Sequence, residues 1–101
     1  MRVEYHRLAR GDYLRARRFF EAERRGKSDL FADDIFEAGR RIEDNPLIGS
    51  RLDDVHRFVK TKKFKYILYY RHFAKSDSVM IYVVAHASRK PGYWLRRTRK
   101  P

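Results

Sequence analysis

A basic and aromatic stretch near the C-terminus holds the residues best suited to chemistry. The sequence HASRKPGYWLRR spans residues 86–97 and follows the apolar run MIYVVA. Arginine and lysine bind phosphate or carboxylate, histidine and tyrosine can transfer protons, and aromatic rings stack on unpaired bases. The stretch is therefore a candidate site for a phosphate group or an acidic partner. Its candidate residues are His86, Arg89, Lys90, Tyr93, Trp94, Arg96 and Arg97.

Several of these residues also have a structural interpretation, and the sequence leaves both interpretations open. His86 ends an apolar strand, where a histidine often bonds to the backbone. Trp94 follows a Pro-Gly turn, so its ring can anchor the tail on the core. Arg89 lies just beyond the strand end, where functional residues are commonly positioned.

A second basic cluster lies upstream, on the predicted middle strands. Its members are interrupted by Phe64, which suggests an inward aromatic ring and outward lysines. Such lysines fit either a solvated strand edge or contact with phosphate. In the second case, metal-free RNA cleavage is possible, because the RNA supplies its 2′-hydroxyl and the protein supplies a base, an acid and a cationic clamp. The cluster comprises Arg57, Lys60, Lys62, Lys63 and Lys65.

The positive charge of the chain is confined to its second half. The net charge is +12 at pH 7. Residues 1–54 contain twelve basic and twelve acidic side chains, whereas residues 55–101 contain thirteen basic ones and a single acid, Asp77. This asymmetry predicts an acidic partner, either nucleic acid or an acidic protein segment.

Other chemistries are disfavoured by the residues present. The chain has no cysteine, and its four histidines lack the spacing of a zinc site. The acidic pairs Asp33-Asp34 and Asp53-Asp54 are interpreted as solvated positions, so no metal is expected. The Gly-Lys-Ser at 26–28 lacks the upstream glycine of a phosphate-binding loop. We therefore expect no cofactor and no metal-dependent nuclease.

The length of 101 residues predicts one domain spanning residues 1–101. The N-terminal residues lack the apolar core of a signal peptide, and no apolar run approaches the length of a membrane span. A cytoplasmic protein without membrane contact is expected.

Hydrophobic periodicity predicts the elements that position these clusters. Residues 2–6 alternate as a strand, and residues 8–25 form a helix that stops at Gly26. Ser28 or Asp29 caps a second helix, whose stripe of Phe31, Ile35, Ala38 and Ile42 ends before Pro46.

A loop over residues 46–55 precedes strands at 57–60, 64–71 and 79–85, and a helical turn is placed after Gly92. Short turns make the three strands an antiparallel meander, with 79–85 expected at the centre of the sheet. The prediction is an α+β fold with the helical hairpin packed on one face of the sheet.

Three stretches together resemble a known family. They are RRIEDNPLIGSRL at 40–52, FKYILYYR at 64–71 and VVAHASRKPGYWLRR at 83–97. With the order strand, helix, helix, three strands, they resemble the RelE/ParE superfamily, the toxins of bacterial type II toxin–antitoxin systems. The resemblance implies neutralisation by a small antitoxin whose acidic segment folds over the toxin, in a heterotetramer or higher complex.

The superfamily implies two different activities. RelE-like members cut messenger RNA on the ribosome, and Arg89, Tyr93 and Arg57 map onto their basic and tyrosine residues, with His86 as a further proton carrier. Val59 and Tyr66, however, stand where that group has basic residues. ParE-like members inhibit DNA gyrase, and HASRKPGYW is more similar to ParE-like and plasmid-stabilisation sequences. We expect a ParE-like toxin; a RelE-like ribonuclease and a non-toxic RNA-binding module are the alternatives.

Overall fold

The computed structural model describes residues 1–89 and 95–98, except for the side chains of Leu95 and Arg96. Two helices and a five-stranded sheet form an α+β fold. In chain order the elements are β1 (Arg2–Tyr5), α1 (Arg7–Glu23), α2 (Lys27–Asp44), β2 (Ser50–Arg51), β3 (His56–Lys60), β4 (Tyr66–Phe73), β5 (Ser78–His86) and a 3-10 turn (Leu95–Thr98).

The strands are arranged in the order β1-β5-β4-β3-β2. β3, β4 and β5 form the predicted antiparallel meander, while β1 pairs with β5 in parallel, with Val3 opposite Val79. The short β2 extends the sheet at its other edge, where Ser50 lies opposite Phe58. The sheet is therefore mixed, and β4 rather than β5 is its central strand.

The helical hairpin forms because each helix carries one apolar stripe. The predicted stripe of α2 is fully or almost fully buried, and Ala9, Ala16 and Phe20 are the buried residues of α1. These side chains pack on the face of the sheet that carries Leu68, Tyr70 and Ile81. Burial of these side chains is the main source of stability for the fold.

A carboxylate of α1 caps the start of α2. Gly26, at φ 88°, is the residue before the helix, and it has no side chain that could cap the helix. The Glu21 carboxylate instead accepts hydrogen bonds from the N–H groups of Gly26 and Ser28 and from the Ser28 hydroxyl. These bonds, with that from Gly26 the largest contribution, hold the pKa of Glu21 below its usual value. The predicted cap at Ser28 or Asp29 is thus wrong, because Glu21 satisfies the free N–H groups from outside the helix.

The opposite face of the sheet is also apolar. Tyr69, Tyr82, Val83 and Ala85 are buried there, next to the partly buried Phe58. A β-bulge between β4 and β5 places Tyr82 and its neighbour Val83 on this same face, because Tyr69 pairs with Val83 and Tyr70 with Ile81. Tyr69 of β4 is therefore buried on this face, whereas Tyr70 is buried on the face that packs against the helices.

Tyr70 ties the loop after α2 to the sheet. Its side chain is fully buried, and its hydroxyl donates to the Pro46 carbonyl and accepts from the Gly49 N–H, at 2.9 and 3.0 Å. The loop approaches so closely that a Cβ built on Gly49 would lie 2.7 Å from the Phe58 carbonyl oxygen and the Tyr70 hydroxyl. Glycine at 49 is therefore required by packing.

Most predicted elements are confirmed, with shifts of one to three residues at their ends. The predicted strands 57–60 and 64–71 appear as His56–Lys60 and Tyr66–Phe73, and a helical turn is present at Leu95–Thr98. The loop over 46–55 contains the unpredicted β2, whose two exposed residues have no apolar alternation.

We expect Gly49→Ala to lower the free energy of unfolding by about 2 kcal/mol, because the methyl group meets backbone and a buried ring that cannot move freely. Gly11→Ala is the matched control. Its Cβ would meet only the end of the flexible Arg15 side chain at 3.3 Å, so a gain of about 0.5 kcal/mol is expected from helix propensity. Urea unfolding followed by circular dichroism measures both, and equal effects would contradict the close approach at Gly49.

Candidate functional site: a basic end of the sheet

The lysines at 60, 62, 63 and 65 lie at the end of β3 and on its connection to β4, the lysine turn. Hydrogen bonds with side chains of α2 hold this turn in place. Both oxygens of the buried Asp34 carboxylate accept from the Lys63 N–H at 3.2 Å, and Oδ2 accepts from the Phe64 N–H at 2.8 Å. Arg41 donates to the Lys60 carbonyl at 2.9 Å. Thr61 is also buried, and its hydroxyl closes the turn by accepting a hydrogen bond from the Tyr66 N–H. The lysine side chains at 60, 62, 63 and 65 are exposed.

The end of β5 lies beside this connection. His86 pairs with Tyr66, and the Ala87 N–H donates to the Lys65 carbonyl at 2.9 Å. The following turn is closed by the Arg89 N–H, which donates to the His86 carbonyl. Lys65, His86 and Arg89 are all exposed at this end of the sheet. The structure thus brings together members of both basic clusters at one end of the sheet. We call this surface the basic end; its members are Lys60, Lys62, Lys63, Lys65, His86 and Arg89.

The His86 ring is engaged by the turn that follows it. Its Nδ1 accepts the Ser88 N–H at 3.1 Å and lies 2.8 Å from the Ser88 hydroxyl. With a backbone donor on Nδ1, the neutral ring carries its proton on Nε2. Nδ1 is therefore not available as a proton acceptor for a substrate. This geometry is that of a histidine that fixes a turn.

Arg57 lies away from the basic end. Its Nη1 donates to the carbonyls of Gly49 and Leu47, at 2.9 and 3.2 Å, so its guanidinium holds the loop after α2. Arg57 is paired with Tyr70, whereas His86 is paired with Tyr66. Tyr70 lies four positions after Tyr66 in β4, which corresponds to about 13 Å along a strand. The structure does not bring Arg57 together with His86 and Arg89.

Arg97 is largely buried in an ion pair rather than displayed on the surface. Its Nη1 lies 2.8 Å from Asp12 Oδ2, and the two side chains are 13% and 8% exposed. The same Nη1 donates to the Tyr82 carbonyl at 2.9 Å. Arg97 therefore joins the C-terminal segment to α1 and β5. Lys90, Tyr93, Trp94 and the Arg96 side chain lie outside the described part of the chain.

The described tyrosines with shifted pKa values are all poorer proton carriers than free tyrosine. Burial raises the pKa of Tyr66, Tyr70 and Tyr82, and it raises the pKa of Tyr5 to about 12. Tyr66 is the one of these beside His86, and the Glu23 carboxylate raises its pKa further. A tyrosine with a depressed pKa, as RNA cleavage would favour, is not found among these residues.

Metal-ligand clusters and membrane-spanning helices are both absent from the described residues. No group of three or more histidine or acidic side chains there could hold a metal ion. No described helix is sufficiently long and apolar to cross a membrane. Asp53, one of the paired acids, instead accepts from the N–H groups of Val55 and His56 and contacts His56 Nδ1.

Two acidic residues organise the basic segments. Sequence reasoning missed Asp12, and its interpretation of Asp34 as a solvated position is wrong, because that side chain is buried and bonded to backbone. Asp12 binds Arg97, and Asp34 binds the backbone of the lysine turn. The available signal was their position: each lies one turn from a buried apolar residue of its own helix, Asp12 near Ala9 and Asp34 near Phe31. An acid on the buried side of a helix needs a partner, but the sequence does not say which one.

A second surface lies on the outer side of the helical hairpin. An apolar groove of about 360 Å³ is lined by residues of β1, α1 and α2. Leu14 is 50% and Phe36 68% exposed, so apolar surface there faces solvent. The lining residues are Tyr5, Arg10, Tyr13, Leu14, Ala32, Ile35 and Phe36.

Comparison with known proteins adds no family assignment. Neither a protein-family model nor a curated protein matches this chain.

Asp34→Ala is expected to lower the free energy of unfolding by about 2 kcal/mol, since it leaves the Lys63 and Phe64 N–H groups without their charged acceptor. Asp33→Ala is the matched control, because the Asp33 carboxylate is exposed. Its free energy of unfolding is expected to change by less than about 0.5 kcal/mol. Urea unfolding measures both values. A similar loss in the two variants would show that Asp34 does not hold the lysine turn.

Proposed function

We propose that this chain is the toxin of a bacterial type II toxin–antitoxin system. In this proposal it is a RelE/ParE-like protein that inhibits growth by binding a cellular protein such as DNA gyrase. The order of β1, α1, α2 and the β3-β4-β5 meander, with both helices on one face, supports the resemblance noted in the sequence.

One observation favours a binding toxin over an enzyme: Arg57 and His86 are both hydrogen-bonded to nearby backbone groups. Arg57 donates to loop carbonyls, and His86 accepts the Ser88 N–H. The two residues lie at separated positions along β4. RNA cleavage needs a base, an acid and a cation around one phosphate. Arg57 and His86 are not placed around one phosphate, and this separation favours the binding toxin.

The basic end is the expected binding surface for the acidic antitoxin or for the target. Lys60, Lys62, Lys63, Lys65 and Arg89 are exposed there, and this half of the chain carries the whole excess charge. Opposite charge steers association and limits the choice of partners. An acidic segment that becomes ordered on this surface gains charge-assisted contacts in exchange for its ordering entropy.

The groove between α1 and α2 also favours a protein partner. Exposed apolar patches that adjoin a groove commonly mark interaction surfaces. Phe36, at 68% exposure, is an aromatic residue of the type that dominates binding energy in protein interfaces. A ribonuclease has no need of such a surface for its chemistry.

The alternative function is a RelE-like ribonuclease, and one observation favours it. Lys65, His86 and Arg89 are neighbours at the basic end, where they could contact a phosphate. In this alternative Arg89 is the phosphate clamp. A non-toxic basic RNA-binding module would use the same surface without inhibiting growth.

Induction of the protein in growing bacteria, with DNA and protein synthesis followed together over the first minutes, tests the proposal. We expect DNA synthesis to fall before translation, and the purified protein to bind gyrase and inhibit supercoiling. Early loss of translation would favour the ribonuclease. Unimpaired growth with folded protein would contradict both toxin functions and favour the RNA-binding module.

Arg89→Ala is expected to weaken growth inhibition at least tenfold in inducer titration while leaving the fold intact, because it removes an exposed cation of the basic end. Arg25→Ala, which removes an exposed cation in the turn between the helices, is the matched control and should act like the unchanged protein. Circular dichroism checks folding. Equal toxicity of the two variants would place the target surface away from the basic end.

A further inference from the structure

The outer edge of β5 is covered by side chains where β1 ends. β1 pairs with β5 as far as Tyr5 opposite Ile81, and the His6 N–H donates to the Ile81 carbonyl at 2.8 Å. Beyond this point the chain turns into α1. The next outward-facing groups of β5 are then satisfied by side chains: the Val84 N–H donates to Asp12 Oδ2 at 3.1 Å, and the Tyr82 carbonyl accepts from Arg97.

The two side chains that cover this edge also bind each other. Arg97 Nη1 lies 2.8 Å from Asp12 Oδ2, and Nη2 lies 3.3 Å from Oδ1. The pair thus presents an acceptor and a donor to β5, as a neighbouring strand would. It also joins α1 to the C-terminal segment, from residues that are 85 positions apart in the sequence.

We propose that this Asp12–Arg97 clamp holds the C-terminal segment, residues 95–98, on β5, so that Asp12 is a positioning residue for that segment. The side chains are 8% and 13% exposed, and a charge removed from water to this extent needs its partner. Loss of either member leaves a charge and an edge group of β5 uncompensated. The C-terminal segment then loses its attachment to the sheet.

The other ion pair of Asp12 provides an internal control. Arg15 also contacts Asp12 Oδ1, at 2.9 Å, but its side chain is 64% exposed and belongs to the same helix. Such an exposed pair contributes little to stability and attaches no distant segment. Arg15→Gln therefore removes a partner of the same carboxylate without touching the C-terminal segment.

Hydrogen exchange at residues 95–98 gives a direct readout, because Arg97 lies in this segment. Asp12→Asn keeps the size of the side chain and an oxygen for the Val84 N–H but removes the charge. We expect exchange at residues 95–98 to quicken at least tenfold, while exchange in β4 changes much less. Arg15→Gln should leave exchange at residues 95–98 unchanged.

Arg97→Gln tests the clamp from its other side and serves if the Asp12 variant fails to fold. It should raise the exchange rate at residues 95–98 to a similar extent. In the double variant Asp12→Asn with Arg97→Gln, that rate should exceed the larger single effect by less than twofold, since both substitutions remove the same interaction. Arg97→Lys, which keeps the charge but not the forked donor, should restore part of the protection. Equal exchange at residues 95–98 in Asp12→Asn and Arg15→Gln, or independent additive effects of Asp12→Asn and Arg97→Gln, would overturn the clamp.

The consequence for growth inhibition rests on the proposed function. If the C-terminal segment contributes to target binding, Asp12→Asn should weaken toxicity while Arg15→Gln should not. Full toxicity of a folded variant with a released segment would show that the position of this segment is not required. If the unchanged protein does not inhibit growth, the proposed function fails, whereas the exchange results still decide whether the clamp exists.

Discussion

Packing of the α2 stripe on the β4–β5 face of the sheet is the contact on which the other features depend. Phe31, Ala38 and Ile42 are fully buried there, against Leu68 and Ile81. A helix docked through such a stripe can neither rotate nor slide without exposing apolar surface. Its remaining side chains are therefore fixed in position, and Asp34 and Arg41 reach the lysine turn from this docked helix.

The docking of α1 acts in the same way, on the same face of the sheet. Ala9 and Ala16 are buried, and their small side chains allow the helix to approach the sheet closely. Asp12 lies between them along the same face and meets the N–H of Val84. The charge-balanced half of the chain thus supplies the carboxylates that hold the basic half in place. Acidic residues of the first half, such as Asp12, therefore contact basic residues of the second half, such as Arg97.

The same side chains can look catalytic in the sequence and structural in the fold. Arg57 and His86 were candidates because their chemical types suit phosphate chemistry, but their donors and acceptors are directed to nearby backbone groups. Buried or half-buried backbone groups must be satisfied, and a nearby side chain is often the group that does so. The side chains of Lys60, Lys62, Lys63, Lys65 and Arg89 are exposed at the basic end, and the proposed function depends on this surface.

The helices, the three main strands and the concentration of positive charge were predictable from the sequence. These features follow from hydrophobic period and composition, which are properties of neighbouring residues. The parallel pairing of β1 with β5, the additional strand β2, the capping of α2 by Glu21 and the pairing of Asp12 with Arg97 emerge only in the folded chain. Each of these joins groups that are separated in sequence or lack a periodic pattern. Such groups find their partners only when the packing of the core brings them together.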